Sequence, residues 1–173
     1  MNKTNRLLII SICVISSIGG LSAQEKVDQS LIASINKFVD QADNRFSRSH
    51  NRIEIESKTS KDKPLMVVHL FTMRGNQIER LTIEFLQEDY KEIETYYFEE
   101  GNLVLAREAQ WTKDNEDVWW DPWSAGIYVS KGKVIFITSV GHGKTEDDDW
   151  KPNPEKTSRL RIKRLRTFLR SIR

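Results

Sequence analysis

The sequence predicts an α+β fold: a single antiparallel sheet of about seven strands, a β-meander of hairpins, flanked by an N-terminal and a C-terminal helix. Three observations lead there. Glycine-centred turns recur three times with similar neighbours. Around them apolar residues alternate with a period of two. At both ends of the domain the period lengthens to three and four residues.

The turns are centred on Gly75, Gly101 and Gly132. An aromatic stands four residues before each (Phe71, Tyr97, Tyr128), and a charged residue directly before (Arg74, Glu100, Lys131). A β-branched residue stands three after (Ile78, Val104, Ile135). Glycine supplies the positive φ of a tight hairpin turn, and the flanks suit a pleated surface. With a two-residue loop ending in glycine, aromatic and β-branched residue face each other, a cross-strand pair worth about 0.2–1 kcal/mol.

Taken in order, residues 25–42 form an amphipathic helix with Val27, Leu31, Ile35, Phe38, Val39 and Ala42 on one stripe. Residues 43–51 are a polar loop, and 52–56 an edge strand carrying Ile53 and Ile55. Residues 61–64 interrupt the chain. Paired strands follow at 65–73 and 77–86, 93–99 and 103–111, 125–130 and 133–140. Residues 112–123 read as a loop, because Asp121-Pro122 is a turn signal. A second, acidic loop covers 141–153. The last helix opens with Asn153 as N-cap, Pro154 in first position and Glu155 in the first turn. Its stripe is Ile162, Leu165, Phe168, Leu169 and Ile172, with Leu160 off it.

Residues 1–23 read as a secretory signal peptide. Lys3 and Arg6 precede an apolar run at 7–18, and Leu21-Ser22-Ala23 offers a cut site. The run is shorter than the ~20 residues of a spanning helix. The expectation is export, periplasmic or secreted, of one domain at 24–173. The only cysteine, Cys13, lies in the leader, so that domain has no disulfide. The net charge of +2 is that of Lys3 and Arg6, leaving the domain neutral but polarised. Eight cations crowd the stretch from Lys156 to Arg173, and residues 24–155 carry the balancing negative charge.

Side-chain parity puts Met66, Val68 and Leu70 on one face with Leu81, Ile83, Phe85, Phe98, Leu103, Leu105, Ile127, Val129, Val134 and Phe136. The N-terminal helix is expected to cover that face. The opposite face carries a row formed by Phe71, Tyr97, Tyr128, Ile78, Val104 and Ile135. That row is either a contact stripe or the seat of the C-terminal helix.

Trp119, Trp120 and Trp123 stand beside Asp114, Glu116 and Asp117, an arrangement that suits either sugar stacking or a plug for the sheet's end. The candidate contact surface is therefore Phe71, Tyr97, Tyr128, Trp119, Trp120 and Trp123. His142 stands between two glycines before Asp147, Asp148 and Asp149, but without the spacing of a metal site. No catalytic constellation, metal site or cofactor motif is expected. The function expected is that of an exported, non-catalytic interaction domain for a protein or envelope component. A glycan-binding or glycan-processing protein using the Trp-rich segment is the alternative, and a carrier of an apolar ligand in a curled sheet a weaker one. Export makes nucleic acid an unsuitable partner. The basic C-terminal helix offers a peripheral membrane contact, set against the simpler reading that it rests on the acidic body.

Overall fold

The structure, a computed structural model, describes residues 28–58, 64–114 and 118–171. The predicted leader at residues 1–23, the start of the predicted first helix, Lys61–Lys63, Glu116, Asp117, Ile172 and Arg173 lie outside the described residues.

Seven strands form one sheet in the order of the chain: β1 (Asn51–Lys58), β2 (Pro64–Arg74), β3 (Gln77–Leu86), β4 (Tyr90–Glu99), β5 (Asn102–Lys113), β6 (Trp119–Ser130) and β7 (Lys133–Gly141). Each pairs antiparallel with the next, so the architecture is a meander with β1 and β7 at its edges. Helix α1 (Gln29–Arg48) precedes the sheet and helix α2 (Pro154–Ser171) follows it. Between β7 and α2 lies one 3-10 turn, Lys144–Glu146. Sheet and helices together are the α+β fold the sequence predicts.

The three glycine turns lie at one end of the sheet. Both loop residues of the second and third have positive φ: Glu100 at 50° and Gly101 at 82°, Lys131 at 50° and Gly132 at 75°. That is the type I′ pattern, whose twist matches the flanking strands. In the first hairpin the loop is Gly75-Asn76, with glycine first rather than last.

The expected cross-strand pairs do not form, because each hairpin has a register shift one or two residues beyond its turn. Phe71 faces Leu81, Tyr97 faces Leu105 and Tyr128 faces Phe136. An extra residue in one strand reverses the parity of everything beyond it. The predicted faces are corrected accordingly. Val67, His69 and Phe71, rather than Met66, Val68 and Leu70, stand opposite Phe85, Ile83 and Leu81. Leu103 and Leu105 fall in different clusters.

The two helices also exchange places relative to expectation. Beneath α1, Ile35, Phe38, Val39 and Ala42 pack on Tyr97 and Leu105, with Val104, Tyr128 and Ile135 at the margin. On the other face Leu165 of α2 joins Phe71, Ile78, Leu81, Ile83, Tyr96, Phe98, Leu103, Ala106, Ile127 and Val129, flanked by Ile162 and Leu169. Thus the face richer in apolar residues receives the C-terminal helix.

Both helix starts are capped by a carboxylate or amide. Asp28 Oδ1 accepts from the Ser30 and Leu31 amides at 2.9 and 3.3 Å, and Asn153 Oδ1 from the Lys156 amide at 3.1 Å. α1 runs six residues past Ala42, where a loop was expected, because Arg45 and Phe46 find partners on the sheet. Arg45 donates two hydrogen bonds of 2.8 Å to Glu79, and Phe46 lies 3.6 Å under the Arg80 guanidinium.

Candidate interaction surface

The six candidate contact residues separate into three groups. Phe71, Tyr97 and Trp123 are buried, at 6%, 1% and 0% exposure, and belong to the interior. Tyr128 is half-buried and donates its hydroxyl hydrogen to Asn36 of α1 at 2.9 Å. Trp119 and Trp120 are exposed. Tyr97 donates to Asp43 at 2.9 Å and accepts from Arg107 at 3.1 Å, which ties α1 to the sheet. Four members of the predicted row (Tyr97, Val104, Tyr128, Ile135) share the α1 side, whereas Phe71 and Ile78 sit on the α2 side.

Trp119-Trp120-Asp121-Pro122-Trp123 is the start of β6, not a loop. Pro122 is tolerated because β7 pairs with β6 only as far as Trp123 opposite Gly141. Beyond that point the His142 amide donates to the Pro122 carbonyl at 3.0 Å, a bond that uses the acceptor proline keeps rather than the N–H it lacks. Trp123 acts as the plug. Its indole N–H donates to Thr145 at 3.0 Å, and its ring meets Trp150 edge-on at 6.2 Å. The glycines around His142 are explained by this plug. A Cβ on Gly141 would sit 2.0 Å from the Pro122 carbonyl oxygen, and one on Gly143 2.5 Å from the Trp123 ring. His142 itself points outward and contacts Glu146 at 2.6 Å. Among the described residues no group of three or more His, Cys, Asp or Glu is placed to hold a metal ion.

The sequence reading missed a charged network under α2. Glu94 faces Glu108 directly across β4 and β5. Arg161 of α2 reaches Glu94 with two hydrogen bonds of 2.7 and 2.6 Å, and the Tyr96 hydroxyl donates to the same carboxylate at 2.9 Å. Lys144 bridges Glu92 and Glu108, the latter at 3.4 Å. Burial pushes the Glu108 carboxyl above its ordinary range, with Lys144 opposing. Burial works against the Lys144 ammonium, yet its bond to Glu92 and the neighbouring carboxylates leave it above the usual lysine value. Two carboxylates in unlike environments resemble an acid–base pair. Here, however, both are engaged by the elements that cover them, and their role is to fasten α2 and the 3-10 turn.

What stays open is the β7 side. Among the described residues, seven large apolar side chains there are exposed: Val118, Trp119, Trp120, Val134, Phe136, Ile137 and Val140. α1 packs toward the turn end, and beyond it the same face holds a shallow trough of about 280 Å³. Arg107, Ser124, Gly126, Tyr128, Thr138 and Val140 line it. Its floor is low because Gly126 carries no side chain, and the Thr138 hydroxyl occupies the place a Cβ would take, 2.8 Å away.

No protein-family model matches the chain, and no curated protein or solved structure matches it significantly.

Proposed function

We propose that the chain is an exported, non-catalytic binding domain that takes an extended protein segment as an added strand along β7. The observation that carries this is the chemistry of that edge. From Val134 to Gly141 β7 has no charged residue, and its apolar side chains are exposed on both faces. Edge strands that do not pair are usually blunted by charge, proline or a cover. Beyond Lys133 at its start, β7 has none of these among the described residues. Strand addition draws affinity from the main chain and specificity from pockets for alternate side chains. The trough beside β7 supplies such a pocket. The export part of the proposal is supported by the pattern of residues 1–23, which reads as a secretory leader.

Peptide display followed by amide exchange tests the proposal. A selected extended peptide is expected to protect the amides of Lys133–Gly141, and Ile137→Lys to remove both protection and binding. Peptides that bind Ile137→Lys unchanged, or a selection that yields none, count against it. The alternative, a glycan stacked on Trp119 and Trp120, is favoured by their exposure and by Lys113 lying 5.3 Å over the Trp119 ring. Oligosaccharide titration of tryptophan fluorescence, lost in Trp120→Ala, is its signature.

A further inference from the structure

Among the described residues one cation of the basic helix, Arg161, reaches the acidic body, by way of Glu94, and Arg159 is satisfied within the helix by Glu155 at 2.7 Å. The Arg161–Glu94 pair and the stripe of Ile162, Leu165 and Leu169 seat α2. Lys156, Arg159, Lys163, Arg166 and Arg170 are all exposed, on the side away from Leu165. Their spacings of three, four and seven residues align them in one row along the helix. Over 14 residues at 1.5 Å each the row is about 21 Å long. Arg164 flanks it, and Leu160, 49% exposed, interrupts it with an apolar side chain. Among the described residues Lys163, Arg164, Arg166 and Arg170 have no acidic partner.

We infer that this outer face of α2 docks the protein on the surface of an anionic lipid bilayer. A straight row of cations on the outermost layer of the molecule matches a plane of negative headgroups, and Leu160 has the right place to enter the interface. The row has no interleaved aromatic platform of the kind that stacks nucleic-acid bases. No helix among the described residues is long and apolar enough to cross a membrane, so the contact is peripheral. Asp147, Asp148 and Asp149 lie exposed just before α2 and repel such a surface, which concentrates the contact on Lys163–Arg170. This surface is separate from β7, so either proposal stands or falls without the other.

Co-sedimentation with vesicles tests it, using the chain from Gln24 onward with the full chain alongside. Vesicles of phosphatidylglycerol and phosphatidylcholine in equal parts are expected to bind the protein at about 50 mM salt and release it at about 500 mM, as screening shortens the Debye length. Each cation lost weakens such binding about fivefold, so Lys163→Gln/Arg166→Gln/Arg170→Gln is expected to bind roughly a hundredfold more weakly. Its melting temperature stays unchanged because all three side chains are exposed. Asp147→Asn/Asp148→Asn/Asp149→Asn tightens binding. Equal binding to pure phosphatidylcholine, no binding to the anionic vesicles, or an unaffected triple variant would overturn the inference. Soluble polyphosphate that binds α2 while anionic vesicles fail to displace it overturns it too, in favour of a polyanion.

Discussion

The two faces of the sheet are covered by helices of similar length, and the charged part of each attachment differs in extent. On the α1 side, apolar packing is supplemented by tyrosine hydroxyls, Tyr97 to Asp43 and Tyr128 to Asn36, by a stacked and paired Arg80, and by one buried ion pair, Arg45 on Glu79. The α2 side has the larger apolar cluster and also a network of three sheet carboxylates, each with a cation brought by a covering element. A hydroxyl hydrogen bond contributes modestly and fails gently. A paired buried charge contributes little net stability while intact, yet costs several kcal/mol when one partner is removed. Arg45–Glu79 is therefore the brittle point of the α1 attachment, and on the α2 side the brittle pair Arg161–Glu94 is joined by the Lys144 bridge.

The largest expected effect tests that brittleness. Arg161→Ala leaves Glu94, whose side chain is only 10% exposed, without its cation, at a cost of about 3 kcal/mol. Urea unfolding measures it, and amide exchange is expected to accelerate first in α2. A loss under about 1 kcal/mol would place the attachment in the apolar stripe alone. Tyr97→Phe is the matched change on the other face. It removes one hydroxyl from a fully buried ring and is expected to cost about 1 kcal/mol, with the α1 amides still protected. If the two variants cost the same, the contrast between a buried ion pair and a hydroxyl hydrogen bond fails.

Most of the fold was legible in the sequence, and the faces were not. Turn glycines, alternation and helix caps each have a local signature, which is why β3 was placed at its observed limits and α2 with its caps. A bulge has no such signature. One extra residue near Val104 sets Tyr97 opposite Leu105, and the same shift decides the network below. A two-residue loop without it would face Glu94 with Arg107; the bulge puts Glu108 there instead. Without the bulge, parity leaves Glu92 and Glu94 on the face of Phe98 and Glu108 on the other, so the three come together only with the shifted register and with α2 and the 3-10 turn docked. Arg161 did have a signal: it stands four residues before Leu165 and seven before Phe168, so helical periodicity places it on the apolar stripe, apart from the exposed row of cations. Of the candidate surface, Trp119 and Trp120 were found from residue type. β7 was read as an ordinary strand, because being at an edge is a property of the whole sheet.

The smallest expected effect isolates the charge that burial disfavours. Glu108→Gln keeps the bridge from Lys144 to Glu92 and removes a carboxylate whose pKa burial raises. A group whose folded pKa lies above its unfolded value binds protons more tightly in the fold. Ionised Glu108 therefore subtracts stability, progressively as pH rises from the ordinary carboxylate value of 4.5 to its raised one, and by a constant amount above that. His69 works in the opposite sense within a neighbouring window. Burial lowers its pKa, and its Nδ1 has no hydrogen-bond partner. Stability from keeping it neutral is lost as pH falls below 6.5. The two slopes overlap in the native chain, so a single pH–stability curve does not separate them, whereas the difference between native and Glu108→Gln curves contains only the first. At neutral pH the variant is expected to be equal to the native chain or a few tenths of a kcal/mol more stable, because the hydrogen-bonding shape is kept and a buried charge is gone. Toward pH 4 that advantage disappears. A variant that is instead destabilised at neutral pH, by the cost expected of Arg161→Ala, would show that Glu108 is an essential partner of Lys144, and that the α2 face is held by two equal ion pairs rather than by Arg161 alone.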